Sequence, residues 1–429
     1  MAGLLARFFG TGPDLPESQD RAHVDAMFKT HRFRVMLAIT LGYGLIYTCR
    51  LALGVVKKPL IDAGVFSPSE LGLIGSALFY TYAIGKLTNG FLADHANMRR
   101  FLAFSFLMTA LCNLAMGMTT VLWVAIVLWG LNGWFQSFGA PGGVVAMTAW
   151  FSNRERGRTY GLWSTAHSIG EGLTFLVVGS AVAALGWRWG FWGPGLIGIV
   201  TAIGCYALLQ DRPRTLGLPT VNDWKQDHYA EAPRPAATTV LGLQLSILKI
   251  PAIWVLCLAS ALTYITRYAI NSWGILYLQE ARGFSLPAAG TLLMVSTLAG
   301  IVGAISFGLI ELAGLGLIFF GPATMPVLVL GMLLFGMGLT GLVTSLGGLF
   351  AVDIAPKRVA GAAMGVIGIF SYIGAGIQEQ VSGRLIEQGM TVVDGVRSYD
   401  FGPAIVFWIG SSVAATLLAA SLWRARLHD

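Results

Sequence analysis

Two arginines stand where the surrounding residues call for lipid. Arg50 lies within "GLIYTCRLALGVV" (44–56) and Arg267 within "ALTYITRYAINSWG" (261–274), each in the middle of an apolar stretch. Lys86, His167, Glu171 and Glu379 are placed in the same way, Gln378 precedes Glu379, and Glu311 lies close to an irregular junction. A cation at mid-membrane costs at least about 2.5 kcal/mol, so each needs a partner or a wet cavity. Glu171 and Glu379 do not offset Arg50, Lys86, Arg267 and a titratable histidine. The surplus is positive and calls for an anion from outside the protein.

Phosphate suits that surplus. A guanidinium binds phosphate oxygens through two N–H groups at once, lysine adds a point charge, and histidine adds a donor that follows pH. Tyr43 and Tyr47 precede Arg50 by seven and three residues and tend to share its helical face, as Tyr82 does with Lys86 four residues on. Their hydroxyls are candidate ligands, and Asn271, in the same stretch as Arg267, joins the set. The alternatives are structural: an ion pair for the arginines, a snorkelling or paired lysine, a core histidine, tyrosines that only pack. His167 and Glu171, four apart, share a face. Glu171, Gln378 and Glu379 are read as charge-balancing or proton-linked groups.

The elements that must hold these residues are membrane helices. Of 429 residues, 55% are hydrophobic and only 11% charged, where a soluble domain carries about 25%. Apolar stretches of spanning length begin near 33, 71, 101, 121, 159, 190, 252, 287, 326, 359 and 402, with a weaker one near 310. Period-two strands of a barrel are not visible, so the expectation is an all-α membrane protein of twelve helices. The net charge of +7 resides in short clusters between spans, among them "KTHRFR" (29–34), "DHANMRR" (94–100), "SNRERGR" (152–158), "DRPRT" (211–215), "APKR" (355–358) and "WRARLHD" (423–429). That spacing reads as topology and not as a nucleic-acid surface; it places these loops and both termini in the cytoplasm. Residues 1–30 lack the order of a signal peptide and read as a cytoplasmic tail. The four cysteines lie in apolar spans without paired spacing, which argues against disulfides and metal clusters.

The polar stretch 211–248 separates two six-helix halves, 31–210 and 249–429, that repeat one another. "YTCR" (47–50) aligns with "YITR" (264–267), "GVFSPSELG" (64–72) with "GFSLPAAG" (283–290), and "GLWSTAHSIGEG" (161–172) with "GVIGIFSYIGAG" (365–376). Such repeats place a substrate site at mid-membrane between the halves. The second half is 13 residues shorter between its first and fifth helices, and a polar loop is missing near residue 309. A segment omitted from the chain is favoured there over a very tight turn. The 55 glycines are read as sites of close helix contact.

The stretches "GFLADHANMRRF", "GLNGWFQSFGAPGG", "WFSNRERGRTYGLWSTAHSIGEG", "DRPRTLGLP" and "TRYAINSWGILYL" resemble the organophosphate:phosphate antiporter family of the major facilitator superfamily, over about residues 30 to 425, nearest its sugar-phosphate sensor and phosphoglycerate transporter branch. The resemblance implies two pseudo-symmetric six-helix bundles that exchange a phosphorylated metabolite for inorganic phosphate by alternating access. It also implies phosphate binding by arginines matching Arg50 and Arg267, with Lys86, His167, Tyr43, Tyr47, Tyr82 and Tyr372 in support. The chain departs from that pattern at Ala140, where family members often have Trp, and at Glu171, where they have Gly. Those departures bear on the organic part of the substrate.

The expected function is therefore a bacterial inner-membrane antiporter for a small organophosphate of the sugar phosphate, glycerol phosphate or phosphoglycerate class. No cofactor, metal, nucleophile or nucleic-acid partner is called for, and the chain is not read as an enzyme. A membrane sensor that binds a sugar phosphate and signals to a partner protein would use the same residues. A proton symporter for an organic anion, driven through Glu171, Glu379 or His167, is a third possibility. The joint charge of Arg50 and Arg267, flanking one central cavity, is expected to make exchange obligatory, because closing an empty cavity would strip water from both cations.

Overall fold

The computed structural model describes residues 8–227, 247–302, 308–346, 360–394 and 396–422. The basic cluster at 29–34 lies inside the first helix, α1 (Arg21–Asp62), whose start is capped by the Asp20 side chain accepting from the backbone N–H groups of Ala22 and His23. At 1.5 Å per residue α1 is about 63 Å long, twice the hydrocarbon core of a bilayer. Its first turns project beyond lipid, and the expected tail of 1–30 is helical from Arg21 onward.

The first half continues with α2 (Pro68–Asp94), α3 (Met98–Met116), α4 (Leu122–Gln136), α5 (Gly139–Trp150), α6 (Asn153–Leu185) and α7 (Trp189–Leu208). The fourth rod is broken into α4 and α5 at Ser137 and Phe138. The second half holds α8 (Pro251–Glu280), α9 (Leu286–Val302), α10 (Gly308–Phe320), α11 (Met325–Thr344), α12 (Ala360–Gln388) and α13 (Gly402–Ser421). Among the described residues α1, α6, α7, α8, α11 and α13 are long and apolar enough to cross a membrane. At 17 and 13 residues, α9 and α10 are shorter. The loop read as missing near residue 309 falls at the start of α10, next to 303–307, which lie outside the described residues, as do the basic clusters at 355–358 and 423–429.

The repeat seen in the sequence is visible in the turns. Gly64 (φ 65°) and Gly283 (φ 71°) each adopt the left-handed conformation ahead of the second helix of their half. Ser67 then caps α2 in a capping box with Glu70. The halves meet along α2 and α12, α6 and α9, and α1 and α8. Along the first seam a side chain at Gly72 would come within 2.5 Å of the Glu379 carbonyl oxygen, so only glycine permits the approach. Residues 211–227, read from sequence as linker, pack on the first half: Trp224 stacks on Phe28 with ring centroids 4.3 Å apart, and Asp227 accepts from the Arg154 backbone N–H at 2.9 Å.

The halves are sealed together at the end where α1 terminates. Lys58 pairs there with Glu280, and Glu387 accepts from the Ser67 hydroxyl and the Ser69 backbone N–H at 2.8 and 2.7 Å. A hairpin that sequence did not anticipate, β1 (Met390–Val393) and β2 (Val396–Tyr399), lies between α12 and α13. Its Arg397 donates to the Ile61 carbonyl at 2.6 Å. The four cysteines are buried free thiols.

Candidate functional site

Arg50 sits two-thirds of the way along α1, 4% exposed. Its guanidinium carbon is 4.4 Å from the ring centre of Tyr82, 5.1 Å from Tyr372, 5.3 Å from Tyr47 and 5.9 Å from Phe79. Electron-rich ring faces stabilise a cation without consuming its N–H groups. Arg50 Nε and Nη2 have no hydrogen-bond partner, and no carboxylate pairs with them among the described residues. Two unused charge-assisted donors in a buried place are a site for an anion.

Arg267 holds the matching position on α8 but is already engaged. Its Nη2 lies 3.1 Å from Glu171 Oε2, and the Asn271 amide donates to the other oxygen, Oε1. The rings of Tyr264 and Tyr268 stand 5.7 Å from its guanidinium carbon. A π-helical turn, Ala269–Trp273, follows Arg267 and a second one, Thr174–Val178, follows Glu171. Such turns re-aim side chains and frequently occur at functional sites.

A cavity of about 710 Å³ lies between the halves, walled by Tyr43, Tyr47, Lys86, His167, Arg267 and Tyr372 among others. An adjoining lobe of about 650 Å³ shares Lys86, Ser164, His167 and Tyr264 and adds the hydroxyls of Ser168, Ser260 and Ser371. The first extends toward the end where α1 begins, past Asp94 and Tyr160. Lys86 Nζ is 5.1 Å from the Tyr372 ring centre. The His167 ring centre is 6.0 Å from that of Tyr47, brought there by Gly44 and Gly170, where α1 and α6 cross too closely for a side chain. Arg267 lines the cavity, whereas Arg50 lies behind it, bordering a void of about 10 Å³. The expectation that both arginines flank one central cavity is corrected at Arg50: rings stand between its guanidinium and the cavity.

Other candidates separate by location. Ala140 lines the cavity. Gln378 is buried and donates to Ser382 at 3.0 Å, away from the cavity wall. Glu379 does not face the cavity: its Oε2 accepts from Lys57 Nζ at 2.7 Å and from the Trp273 indole at 3.0 Å. Lys57 also donates to the Ser272 hydroxyl at 2.7 Å and lies 3.4 Å from the Trp273 ring centre. Sequence reading passed over Lys57, although it stands seven residues, two helical turns, beyond Arg50. It also passed over Tyr264, which the repeat aligns with Tyr47. Adding Lys57 to the cations and pairing it with Glu379 leaves Arg50 and Lys86 without a carboxylate among the described residues. The positive surplus persists. Glu311 is buried on α10 with both oxygens unpartnered, outside the cavity walls.

Two repeated helical halves around a central polar cavity define a class of membrane transporters, and residues 38–378 match the family described as Major Facilitator Superfamily. The chain belongs to that family, and within it to the organophosphate:phosphate antiporter branch. It is 32% identical over 398 residues to the membrane sensor protein UhpC of Escherichia coli strain K12, covering 86% of this chain and 89% of that one. A probable hexose phosphate transport protein of Chlamydia pneumoniae is 31% identical, with 86% and 88% covered, and the hexose-6-phosphate:phosphate antiporter of Escherichia coli strain K12 is 29% identical, with 79% of each covered. Among solved structures, a bacterial homologue of the human lysosomal transporter Spinster, inward-facing and unoccupied, superposes with a TM-score of 0.73 at 16% identity over 91% of this chain and 96% of that one.

Proposed function

We propose that the protein is a bacterial inner-membrane antiporter that exchanges a small phosphorylated metabolite for inorganic phosphate by alternating access. The observation that carries this reading is Arg50, a buried guanidinium boxed by aromatic rings with two nitrogens, Nε and Nη2, unpartnered, next to a cavity lined by Arg267, Lys86 and His167. Arg50 and Lys86 supply charge that a phosphate dianion balances; the ring faces of Tyr47, Tyr82 and Tyr372 hold those cations, the hydroxyls of Tyr43, Tyr47, Tyr82 and Tyr372 position the phosphate, and His167 adds a polar group at the wall. The volume fits a phosphate ester, since small-molecule sites span about 300–1,000 Å³. With both termini cytoplasmic, the sealed end is periplasmic and this conformation faces inward. Outward opening requires Lys57 to part from Glu379 and Lys58 from Glu280. Exchange of radiolabelled phosphate in proteoliposomes tests the reading: internal phosphate or phosphate ester should accelerate uptake of label.

The 32% identity to a membrane sensor supports a second reading. A sensor would bind phosphate ester at the same residues and show no exchange.

A further inference from the structure

Glu171 stands on α6 of the first half; Arg267 and Asn271 stand on α8 of the second. The pair therefore bridges the two halves at the cavity, and it occupies Nη2, one of the nitrogens of the Arg267 guanidinium. Glu171 is 3% exposed, and both of its oxygens are engaged. Its neighbours hold it in place, because a side chain at Gly170 would strike the Gly44 backbone, and one at Gly172 would come within 3.1 Å of Met294 Cγ and 3.0 Å of Thr297 Oγ1. A carboxylate so placed is an anion that the protein carries itself.

We propose that Glu171 substitutes for phosphate at Arg267 when the carrier is empty, and that this gives the protein a second activity: net movement of phosphate or phosphate ester without a returning anion. The proposal rests on the exchange reading above. Empty carriers return slowly when closing the cavity strips water from unbalanced cations, since desolvated charge of one sign is costly. Here Arg267 is balanced before the ligand arrives. The remaining cations, Arg50 and Lys86, lie against ring faces that lower the cost of closing around them. The same arrangement weakens ligand binding, because phosphate must displace a carboxylate already bonded to Arg267 and only the difference between the two anions contributes. Exchange driven by ligand and slower return of the empty carrier thus run on one site.

The test uses purified full-length protein in liposomes loaded with radiolabelled inorganic phosphate, with a potassium ionophore to collapse the membrane potential. Efflux is measured into buffer with and without external phosphate. The wild type should release label into phosphate-free buffer at a rate within about tenfold of exchange. Glu171→Gln should bind inorganic phosphate about tenfold more tightly, the scale of one charge-assisted hydrogen bond, and its net efflux should fall relative to exchange by a similar factor. Glu171→Asp, which keeps the charge on a shorter arm, should fall between. Wild-type exchange without measurable net efflux overturns the proposal with no variant needed, as does a Glu171→Gln protein with unchanged or weaker phosphate binding. A wild type that shows neither exchange nor efflux overturns the exchange reading itself.

Discussion

Lys57 on α1 and Glu379 on α12 form an ion pair 2.7 Å long with side chains 0% and 2% exposed, and it joins the two halves beneath the cavity. Removing one partner from a buried pair leaves an uncompensated charge, at a cost of about 3–5 kcal/mol, whereas replacing both with neutral residues of similar volume is often tolerated. Lys57→Met and Glu379→Gln are each expected to lower thermal stability in detergent. The double variant should recover most of the loss and expose residues of the sealed end, such as position 272 carrying a cysteine, to a water-soluble thiol reagent. A double variant less stable than both singles would show that the pair is not what couples these sites.

The aromatic box around Arg50 makes a separate prediction. Tyr82→Leu keeps an apolar side chain and removes the ring nearest the guanidinium together with its hydroxyl. A buried cation–π contact contributes about 0.5–2 kcal/mol, so phosphate should bind roughly 2- to 30-fold more weakly. Equilibrium binding to purified protein measures this, and unchanged affinity would mean the ring only fills space.

Proton dependence follows from the ligand. Phosphate monoesters lose their second proton near pH 6, and two cations without carboxylate partners favour the dianion. Affinity should therefore rise as pH increases from about 5 to 7. His167→Asn is expected to change the shape of that profile, because the imidazole stands at the cavity wall. A flat profile from pH 5 to 8, centred near histidine's reference value of about 6.5, would contradict both statements.

Ala140 contributes only a methyl group to the cavity. Ala140→Trp should narrow the space for the organic group and shift preference toward smaller esters while phosphate self-exchange continues. Loss of self-exchange in a monodisperse protein would place Ala140 in a helix contact instead.

How much of this was legible in the sequence depends on the range of the interaction. Arg50 and Arg267 announce themselves as charges in apolar runs, and the repeat pairs them without any structure. Gly64 and Gly283 are legible in the same way, as matching turns. What Arg267 touches was not, because Glu171 lies 96 residues away and only helix crossing angles decide whether it reaches. Lys57 is harder still: near the end of an apolar run a lysine reads as one that snorkels to the interface, and its partner lies 322 residues away. The early start of α1 was missed because its first turns are polar, and hydropathy reports where a helix enters lipid, not where it begins.

The central claim is that Arg50 and Arg267 bind phosphate through their planar forks. Phosphate exchange in proteoliposomes by Arg50→Lys and Arg267→Lys tests it most directly, since lysine keeps the charge and loses the bidentate geometry. Both variants should fold and lose at least about tenfold in exchange rate, the equivalent of one charge-assisted hydrogen bond, with the larger loss at Arg50, whose Nε and Nη2 have no hydrogen-bond partner. Near-normal exchange in both lysine variants would contradict the account.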